Sequence, residues 1–279
     1  MKPIKICDAN IVFIGGGKMG EAIIGGWIKS DVGEAKLIGP AGIMVVETNA
    51  ERKDHLSKTF GVRCVDSAEE ISSADIVVLA VKPQVMMDVL AKLKELPAFE
   101  ESLFISIAAG LKTQRLVEAL PESSRLVRVM PNTPLMVSQG ASAVCASSTS
   151  TQDEVRLVTD LFGSLGQAAT VEEEAMDAIT ALSGSGPAYV AAMVESLTRA
   201  AVAVGLEAEL AERFAQQTAL GTMILISETG QSPTEVRESV SSPGGTTLAA
   251  LEAMSKSGMD KVYYDGICAA LNRSKELGA

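Results

Sequence analysis

A glycine-rich turn between a predicted strand and a predicted helix constrains the fold of this chain most strongly. The apolar run Ile11–Ile14 leads directly into Gly15-Gly16-Gly17-Lys18-Met19-Gly20, and a helical pattern follows over Glu21–Lys29. In a G-x-G-x-x-G turn, the first glycine permits a tight bend, the second lets the backbone approach a pyrophosphate, and the third permits close helix–strand packing. The helix start adds free N–H groups and the positive end of a dipole. The sequence therefore predicts a dinucleotide-binding turn; a flexible turn without a ligand is the alternative.

The N-terminal part of the chain alternates short β-rich runs with helical patterns, from Asn10 to about Val171. Five of these runs are almost continuously apolar, as expected for strands that helices cover on both faces. They are Ile11–Ile14, Ile43–Val46, Ile76–Val81, Leu103–Ile107 and Leu126–Met130. Such alternation predicts an α/β fold in which residues 1–171 form a Rossmann-like, doubly wound parallel sheet. Glycines and a proline interrupt Ser30–Gly42, so we expect a long connection between the first helix and the second strand.

The C-terminal part of the chain has a different pattern. Strand patterns stop near residue 172, and helical patterns rich in alanine, leucine, valine and methionine continue through Leu277. We therefore predict an all-helical C-terminal domain over residues 172–279, used for dimerisation. The run Ala188–Val204 is apolar around much of its circumference, so a helix there has to be buried in its own bundle or against another subunit. We favour the subunit interface.

Composition and charge exclude several kinds of partner. The chain carries 24 Lys and Arg against 35 Asp and Glu, a net charge of −11, so we expect no binding to nucleic acid or to an anionic membrane. No apolar stretch of signal-peptide length precedes the first predicted strand, and no later run has the length of a membrane-spanning helix, which makes the cytoplasm the expected location. The cysteines are far apart and form no C-x-x-C pair, which favours reduced, separately buried thiols over disulfides or a metal site.

The cofactor is selected where the second predicted strand ends, at Glu47-Thr48-Asn49-Ala50-Glu51-Arg52. A carboxylate there accepts hydrogen bonds from a ribose 2′-hydroxyl and favours NADH, whereas an arginine with polar neighbours binds a 2′-phosphate and favours NADPH. Glu47 therefore supports NADH, and Thr48, Asn49 and Arg52 together support NADPH. We predict NADPH, with NADH as the alternative, because three donors outweigh one carboxylate. Arg52 could instead be a solvated residue of the next helix.

Further motifs follow the glycine turn along the chain. They are Ala80-Val81-Lys82-Pro83-Gln84, Met130-Pro131-Asn132-Thr133-Pro134, Ser183-Gly184-Ser185-Gly186-Pro187-Ala188-Tyr189 and Val240-Ser241-Ser242-Pro243-Gly244-Gly245-Thr246-Thr247. The order and spacing of these motifs resemble those of the pyrroline-5-carboxylate reductase family, and the resemblance covers nearly the whole chain. The Ser-Pro-Gly-Gly-Thr-Thr segment is the most specific of these motifs, while the connection at residues 31–42 is longer than the family usually has.

The resemblance implies an enzyme that reduces 1-pyrroline-5-carboxylate to L-proline with NAD(P)H, the last step of proline biosynthesis. It also implies homodimers built from the helical halves, which join into larger rings such as a decamer. The residues that it places along the cofactor are Ala80, Val81, Lys82 and Pro83 at the bridging region, Ile107, Ala108 and Ala109 at the nicotinamide ribose, and Ser239 near the cofactor or the substrate. The sequence alone allows Val78–Val81 to be simply a buried strand end.

The implied substrate carries a carboxylate and an imine, and a chain of net negative charge has to bind this anion with local donors. The segment from Pro243 to Thr247 has the pattern of a loop that opens a helix, with glycines that expose backbone N–H groups. The substrate-binding residues that we predict are Ser242, Gly244, Gly245, Thr246 and Thr247. An ordinary Pro-Gly turn with threonine as the N-cap of the helix is the alternative.

The segment Ser183–Pro187 has small residues and then a proline at a predicted first helical position. We expect it to form the opposite wall of the cleft, near the nicotinamide. Close packing of helices explains the same residues nearly as well.

Proton chemistry is constrained by the absence of a suitable histidine. The single histidine, His55, falls in the predicted helix after the second strand, away from the expected reaction centre. Because an iminium can form in water without an enzymatic acid, we expect catalysis mainly by proximity and electrostatics. Thr247, as hydrogen-bond partner of the ring nitrogen, is the candidate catalytic residue.

Two other functions fit parts of the pattern. A β-hydroxyacid dehydrogenase combines a Rossmann domain with helices, but it depends on a lysine early in the first helix of the second half, and Ala188–Glu195 contains none. A non-catalytic NADP-binding oligomeric sensor is the other alternative, because the sequence offers no sharply diagnostic acid or base.

Overall fold

A computed structural model of the chain describes residues 4–32 and 35–278. The strands are β1 (Ile11–Ile14), β2 (Asp31–Val32), β3 (Ala35–Lys36), β4 (Ile43–Val46), β5 (Arg63–Val65), β6 (Ile76–Leu79), β7 (Leu103–Ser106), β8 (Arg125–Met130), β9 (Gly140–Ala146) and β10 (Gly166–Thr170). The helices are α1 (Lys18–Lys29), α2 (Ala50–Phe60), α3 (Pro83–Lys94), α4 (Thr113–Ala119), α5 (Gln152–Gly163), α6 (Met176–Ile179), α7 (Gly186–Ala203), α8 (Ala208–Thr229), α9 (Pro233–Ser239), α10 (Thr246–Lys256) and α11 (Met259–Gly278).

The main sheet has eight strands in the order β5-β4-β1-β6-β7-β8-β9-β10. The first six of these are parallel, β9 runs antiparallel to β8, and β10 is parallel to β9. The chain starts in the middle of the sheet and adds strands first on one side and then on the other, which is the doubly wound arrangement. The predicted Rossmann-like, mainly parallel fold is therefore confirmed.

The sheet has a separate apolar layer on each face. Along β1, Ile11 and Phe13 belong to one buried cluster, with Trp27 of α1 and Phe162 of α5. The alternate residues of the strand pack into a second cluster with side chains from α3 and α4. Because successive strand residues point to opposite faces, a strand covered on both sides has to be apolar throughout.

The strand ends and the shorter strands depart from the sequence prediction. Strands predicted to run to Val81 and Ile107 end at Leu79 and Ser106, because the chain turns there toward Pro83 and toward the loop before α4. Strands β5, β9 and β10 were not predicted from the sequence. Strand β5 has only three residues, and the other two are rich in glycine, alanine and serine, which have low β propensity. The predicted long connection contains the antiparallel β2–β3 pair; Gly33, one of its predicted breakers, lies outside the described residues.

The cysteine prediction is only partly right. All four cysteines are free, but only Cys145 is buried; Cys64 and Cys268 are half-buried and Cys7 is exposed. Cys7 lies in a short turn before β1 in which no residue is buried. Burial, the largest effect, raises the pKa of the Cys145 thiol to about 11, with Glu173 adding to it, so this thiol is protonated at neutral pH.

The chain separates into two compact units. One contains the chain up to Ser185 together with the end of α11 from Ala270, and the other is Gly186–Ala269. The first unit therefore extends beyond residue 171, and the predicted domain boundary at 171/172 stays a prediction. Within the described residues 4–32 and 35–278, no helix is long and apolar enough to cross a membrane, and no cluster of acidic, cysteine or histidine side chains could hold a metal ion.

The second unit exposes much of its apolar surface. Helix α7 has no buried residue, and its Val190, Met193 and Leu197 are exposed in the single chain. Only Ala211 and Val236 of residues 186–269 are buried hydrophobic residues. A helical unit with so little core of its own is typical of one that is completed by association.

Candidate cofactor and substrate site

The parallel strands bring several predicted cofactor residues to one edge of the sheet. The carboxyl ends of β1, β4, β6 and β7 lie side by side, and ligands of open α/β sheets bind outside these ends, where the strand order reverses. The segments that follow these ends are 15–20, 47–52, 80–83 and 107–110. The structure thus brings together the glycine turn and the residues predicted for the cofactor's bridging region and ribose.

The glycine turn has the geometry that each glycine was expected to provide. Gly15 has φ +99°, and a Cβ there would lie 3.0 Å from the Ala80 carbonyl oxygen. A Cβ on Gly20 would lie 2.9 Å from the Gly15 carbonyl oxygen, so the helix and the turn pack without room for a side chain. At Gly17, in contrast, a Cβ would meet nothing within 4 Å. Gly17 therefore borders open space, as a position approached by a phosphate has to.

The start of α1 is available to an anion. Gly17 is the N-cap residue, and no side chain caps the helix. The first backbone N–H groups of a helix lack intrahelical acceptors, so those of Lys18 and Met19 can serve a phosphate together with the helix dipole. These residues fit a dinucleotide pyrophosphate.

Glu47 binds the backbone of the glycine turn through its side chain. Its carboxylate accepts hydrogen bonds from the backbone N–H of Gly16 (2.9 Å) and of Asn49 (2.9 Å). The Asn49 side chain in turn caps α2 by accepting from the Arg52 backbone N–H (2.9 Å). Both oxygens of Glu47 are thus engaged by protein groups.

Arg52 also reaches the turn. Its Nε donates to the Gly16 carbonyl oxygen (3.0 Å), and its guanidinium forms an ion pair with Glu21 at 2.7 Å. His55 contacts the other oxygen of Glu21 at 2.7 Å. Burial by itself would raise the pKa of the Glu21 carboxyl, but the hydrogen bonds from His55 and Arg52 outweigh it and lower that pKa. Glu21 therefore stays ionised and fixes Arg52 beside the turn.

A pocket of about 270 Å³ lies along the same edge. Gly15, Thr48, Ser67 and Val81 are among the residues that line it. It extends from the glycine turn past the end of β4, and both polar and apolar residues line it.

The remaining residues predicted for the cofactor follow β6 and β7. Lys82 is the N-cap of α3, which has Pro83 in its first turn and no side-chain cap. Ala108 is buried, and its N–H donates to the Ser106 hydroxyl at 3.4 Å.

The residues predicted for the substrate lie in the second unit. Gly244 has φ +74°, and Gly245 donates its N–H to the Ser242 carbonyl oxygen at 3.0 Å. Gly245 is the N-cap of α10, no side chain caps that helix, and Thr246 and Thr247 are its first residues. The loop thus opens a helix as predicted, and the alternative of a threonine N-cap is wrong. Ser239 ends α9, where its hydroxyl donates to the Val236 carbonyl oxygen at 2.8 Å.

Comparison with known proteins now decides the family. A model described as pyrroline-5-carboxylate reductase dimerisation matches residues 173–277, and one described as NADP oxidoreductase coenzyme F420-dependent matches residues 10–110. A pyrroline-5-carboxylate reductase of Synechocystis is 40% identical over 95% of this chain and 97% of its own length. The chain belongs to the pyrroline-5-carboxylate reductase family.

Solved structures of the family agree with this assignment. A Coxiella burnetii pyrroline-5-carboxylate reductase superposes with a TM-score of 0.87 at 36% identity, covering 97% of this chain and 99% of its own. A Plasmodium falciparum pyrroline carboxylate reductase with NADP bound superposes with a TM-score of 0.85 at 30% identity, covering 98% of this chain and 100% of its own. Neither a β-hydroxyacid dehydrogenase nor a non-catalytic sensor is favoured by these matches.

The structure shows contacts of this family member that the sequence analysis missed. Glu21 and the Arg52–His55 pair come from different helices, and Glu47 bonds to a glycine 31 residues earlier in the chain. Glu47, Arg52 and His55 were identified from the sequence, but the sequence does not show which residues they bind.

We expect Gly17→Ala to weaken dinucleotide binding without unfolding the protein. The added methyl meets no protein atom, but it occupies the space through which a phosphate approaches the backbone. The dissociation constant for NADPH, measured by fluorescence titration, should rise about tenfold or more, which corresponds to about 1.4 kcal/mol.

Gly39→Ala is the matched control. Gly39 is also an N-cap glycine with an extended backbone and an open Cβ position, but it caps a short 3₁₀ turn before β4. Like Gly17→Ala, Gly39→Ala should lower the thermal stability only slightly, but it should leave NADPH binding unchanged. Equal NADPH affinities for the two variants would remove Gly17 from the phosphate site.

Proposed function

We propose that this chain catalyses the NADPH-dependent reduction of 1-pyrroline-5-carboxylate to L-proline. The observation that carries the proposal is the family match over nearly the whole chain, in a protein whose glycine turn is open at Gly17. The test is to follow NADPH oxidation with 1-pyrroline-5-carboxylate and, separately, with the keto form of a β-hydroxyacid. Turnover with the first only is expected; turnover with the second only, or binding without turnover, would contradict the proposal.

The anionic substrate requires hydrogen-bond donors, which the N-terminal end of α10 offers. Gly245 provides no side-chain cap, so the N–H groups of Thr246 and Thr247 are available, and the positive φ of Gly244 bends the loop that presents them. These donors suit a carboxylate, although the chain as a whole is acidic. Ser242 and the two glycines complete the proposed carboxylate site.

The bond that is reduced is the C=N bond of the ring. A reduced nicotinamide supplies the hydride when it is bound. The imine nitrogen is protonated in solution before or on binding, so the residues have to orient the ring rather than supply a strong acid. Thr247 is the proposed hydrogen-bond partner of this nitrogen, and Ser239 is proposed to lie near the cofactor.

We expect Thr247→Ala to lower kcat/KM for 1-pyrroline-5-carboxylate by about tenfold to a hundredfold, since it removes a hydroxyl that orients the reacting nitrogen. The dissociation constant for NADPH should not change. Thr247→Ser keeps the hydroxyl and should retain most of the activity. If Thr247→Ala were as active as the unmodified enzyme, Thr247 would have no part in the reaction.

NADPH is the proposed cofactor in preference to NADH. Glu47 engages both carboxylate oxygens with backbone amides, which leaves it poorly placed to accept from a ribose 2′-hydroxyl. Arg52, held at the same strand end, brings a positive charge, and Asn49 lies beside it. These contacts favour a 2′-phosphate.

We expect Arg52→Ala to reduce the ratio of kcat/KM with NADPH to kcat/KM with NADH by about tenfold or more, because a charged hydrogen bond to phosphate is lost. Arg156→Ala, which removes an exposed arginine from α5, is the control and should leave the ratio unchanged. Equal losses with both cofactors would show that Arg52 supports the turn but does not recognise the phosphate.

A homodimer formed through the helical unit, and a decamer built from such dimers, belong to the same proposal. The support is the dimerisation model over residues 173–277 and the exposed apolar side chains of α7. A cytoplasmic location is also proposed, because free cysteines fit a reducing compartment.

We expect the chain to sediment as a dimer or a larger oligomer, and Leu197→Glu to shift it to smaller species, since the substitution buries a charge at the interface. The same change at Val85, which is exposed on the dinucleotide-binding unit, should leave the sedimentation coefficient unchanged. A monomer at all concentrations would contradict the proposed assembly.

A further inference from the structure

Asn132 connects two motifs whose roles the proposed function does not explain. It follows β8 at the carboxyl edge of the sheet, and its side chain is buried. Its Oδ1 accepts from the Ala141 N–H at 2.8 Å, and its Nδ2 donates to the Ser183 carbonyl oxygen at 3.1 Å. The side chain thus joins the Met-Pro-Asn segment to the segment that precedes α7.

The Ser183 carbonyl needs this donor because of Pro187. In a continuous α-helix, the carbonyl of Ser183 would accept from the N–H of residue 187, and a proline has none. The chain at this point is a π-helical turn over Thr180–Gly184, in which Ser185 donates to the Thr180 carbonyl oxygen at 3.0 Å. Asn132 therefore supplies the hydrogen bond that Pro187 cannot.

Packing fixes the same turn from a second side. A Cβ on Gly184 would lie 2.5 Å from the Met130 methyl carbon, so the turn approaches the end of β8 as closely as a glycine allows. Strand β8 is the neighbour of β7, and β7 is followed by the residues implied to flank the nicotinamide ribose, Ile107–Ala109. Single π-helical turns of this kind are frequent at functional sites.

We propose that Asn132 is a positioning residue for the reduction. It holds the Ser183–Ser185 turn at the carboxyl edge of the sheet, so that this turn forms a fixed wall beside the nicotinamide. Asn132 acts through the turn and does not itself touch the reacting atoms. The inference rests on the proposed function, because only a bound nicotinamide gives the wall its purpose.

Asn132→Asp tests the role with the smallest change in shape. The carboxylate keeps an acceptor for the Ala141 N–H, but it places an oxygen against the Ser183 carbonyl, so the bond to the turn is lost and replaced by repulsion. The control is Asn272→Asp, the same change at an exposed position of α11.

The first measurement is hydrogen exchange of the protein without cofactor. We expect the amides of residues 183–186, 188 and 189 to exchange about tenfold faster or more in Asn132→Asp than in the unmodified protein or the control, which corresponds to about 1.4 kcal/mol of local opening. The amides of β1 should be unaffected. Unchanged exchange in residues 183–189 would overturn the claim that Asn132 holds the turn.

The second measurement separates positioning from stability. In Asn132→Asp we expect kcat for 1-pyrroline-5-carboxylate to fall about tenfold or more, with a larger isotope effect from NADPH deuterated at the transferred position. The dissociation constant for NADP+ should change less than about twofold, because the phosphates bind at the glycine turn. Faster exchange with unchanged kcat and isotope effect would make Asn132 merely structural and overturn the proposal.

A double substitution provides a test that does not depend on the folding of Asn132→Asp. In Asn132→Ala, adding Pro187→Ala restores an N–H that can reach the Ser183 carbonyl, so protection of residues 183–189 and kcat should both recover in part. No recovery would overturn the explanation through Pro187.

An unmodified protein that does not reduce 1-pyrroline-5-carboxylate would instead overturn the proposed function and the positioning role. The exchange data would still decide whether Asn132 holds the turn.

Discussion

The close approach of the turn after β1 to the end of β6 is the constraint on which the cofactor site depends. Gly15 lies against the Ala80 carbonyl, and Gly20 lies against the Gly15 carbonyl, so no side chain fits at either position. This contact places the N-terminal end of α1 at the carboxyl edge of the sheet, where free N–H groups point outward. Glu47 then fixes the turn through the Gly16 N–H. The proposed phosphate site is therefore lined mainly by backbone groups.

An acidic protein that binds anions has to use local donors, and the proposed anionic sites of this chain lie at helix starts. Neither α1 nor α10 has a side-chain cap, in contrast to α5 and α9, whose first residues are closed by capping boxes. Side-chain caps satisfy the N–H groups that an anion would otherwise bind. The helix starts at the two proposed anionic sites are therefore free of side-chain caps, as are those of α3 and α4.

The sequence predicted the order of the main elements because their signals are local. Apolar runs, the glycine turn and the change of pattern near residue 172 gave β1, β4, β6, β7 and β8 and the helical second half. Strands β9 and β10 were missed because alanine, glycine and serine form strands only where neighbouring strands pair with them. The exposure of Cys7 was missed because it depends on the short turn that precedes β1.

Contacts over long distances in the chain limited what could be predicted of the site. The glycine turn and the Gly244–Thr247 loop were found from their composition, but the ion pair of Glu21 with Arg52 and the bond from Asn132 to Ser183 join distant segments. The sequence nevertheless indicates that the Ser183 carbonyl lacks its helical donor, because the residue four positions later, Pro187, has no N–H. Its partner could be identified only from the fold.

The most direct test of the account is the fate of the transferred hydrogen. NADPH deuterated at C4 on the transferred face is incubated with the enzyme and 1-pyrroline-5-carboxylate in ordinary water, and the product is analysed by mass spectrometry and NMR. The account predicts L-proline with one deuterium on the carbon that was doubly bonded to nitrogen, one for each NADPH oxidised. Proline without deuterium, or NADPH that binds but is not oxidised, would contradict it.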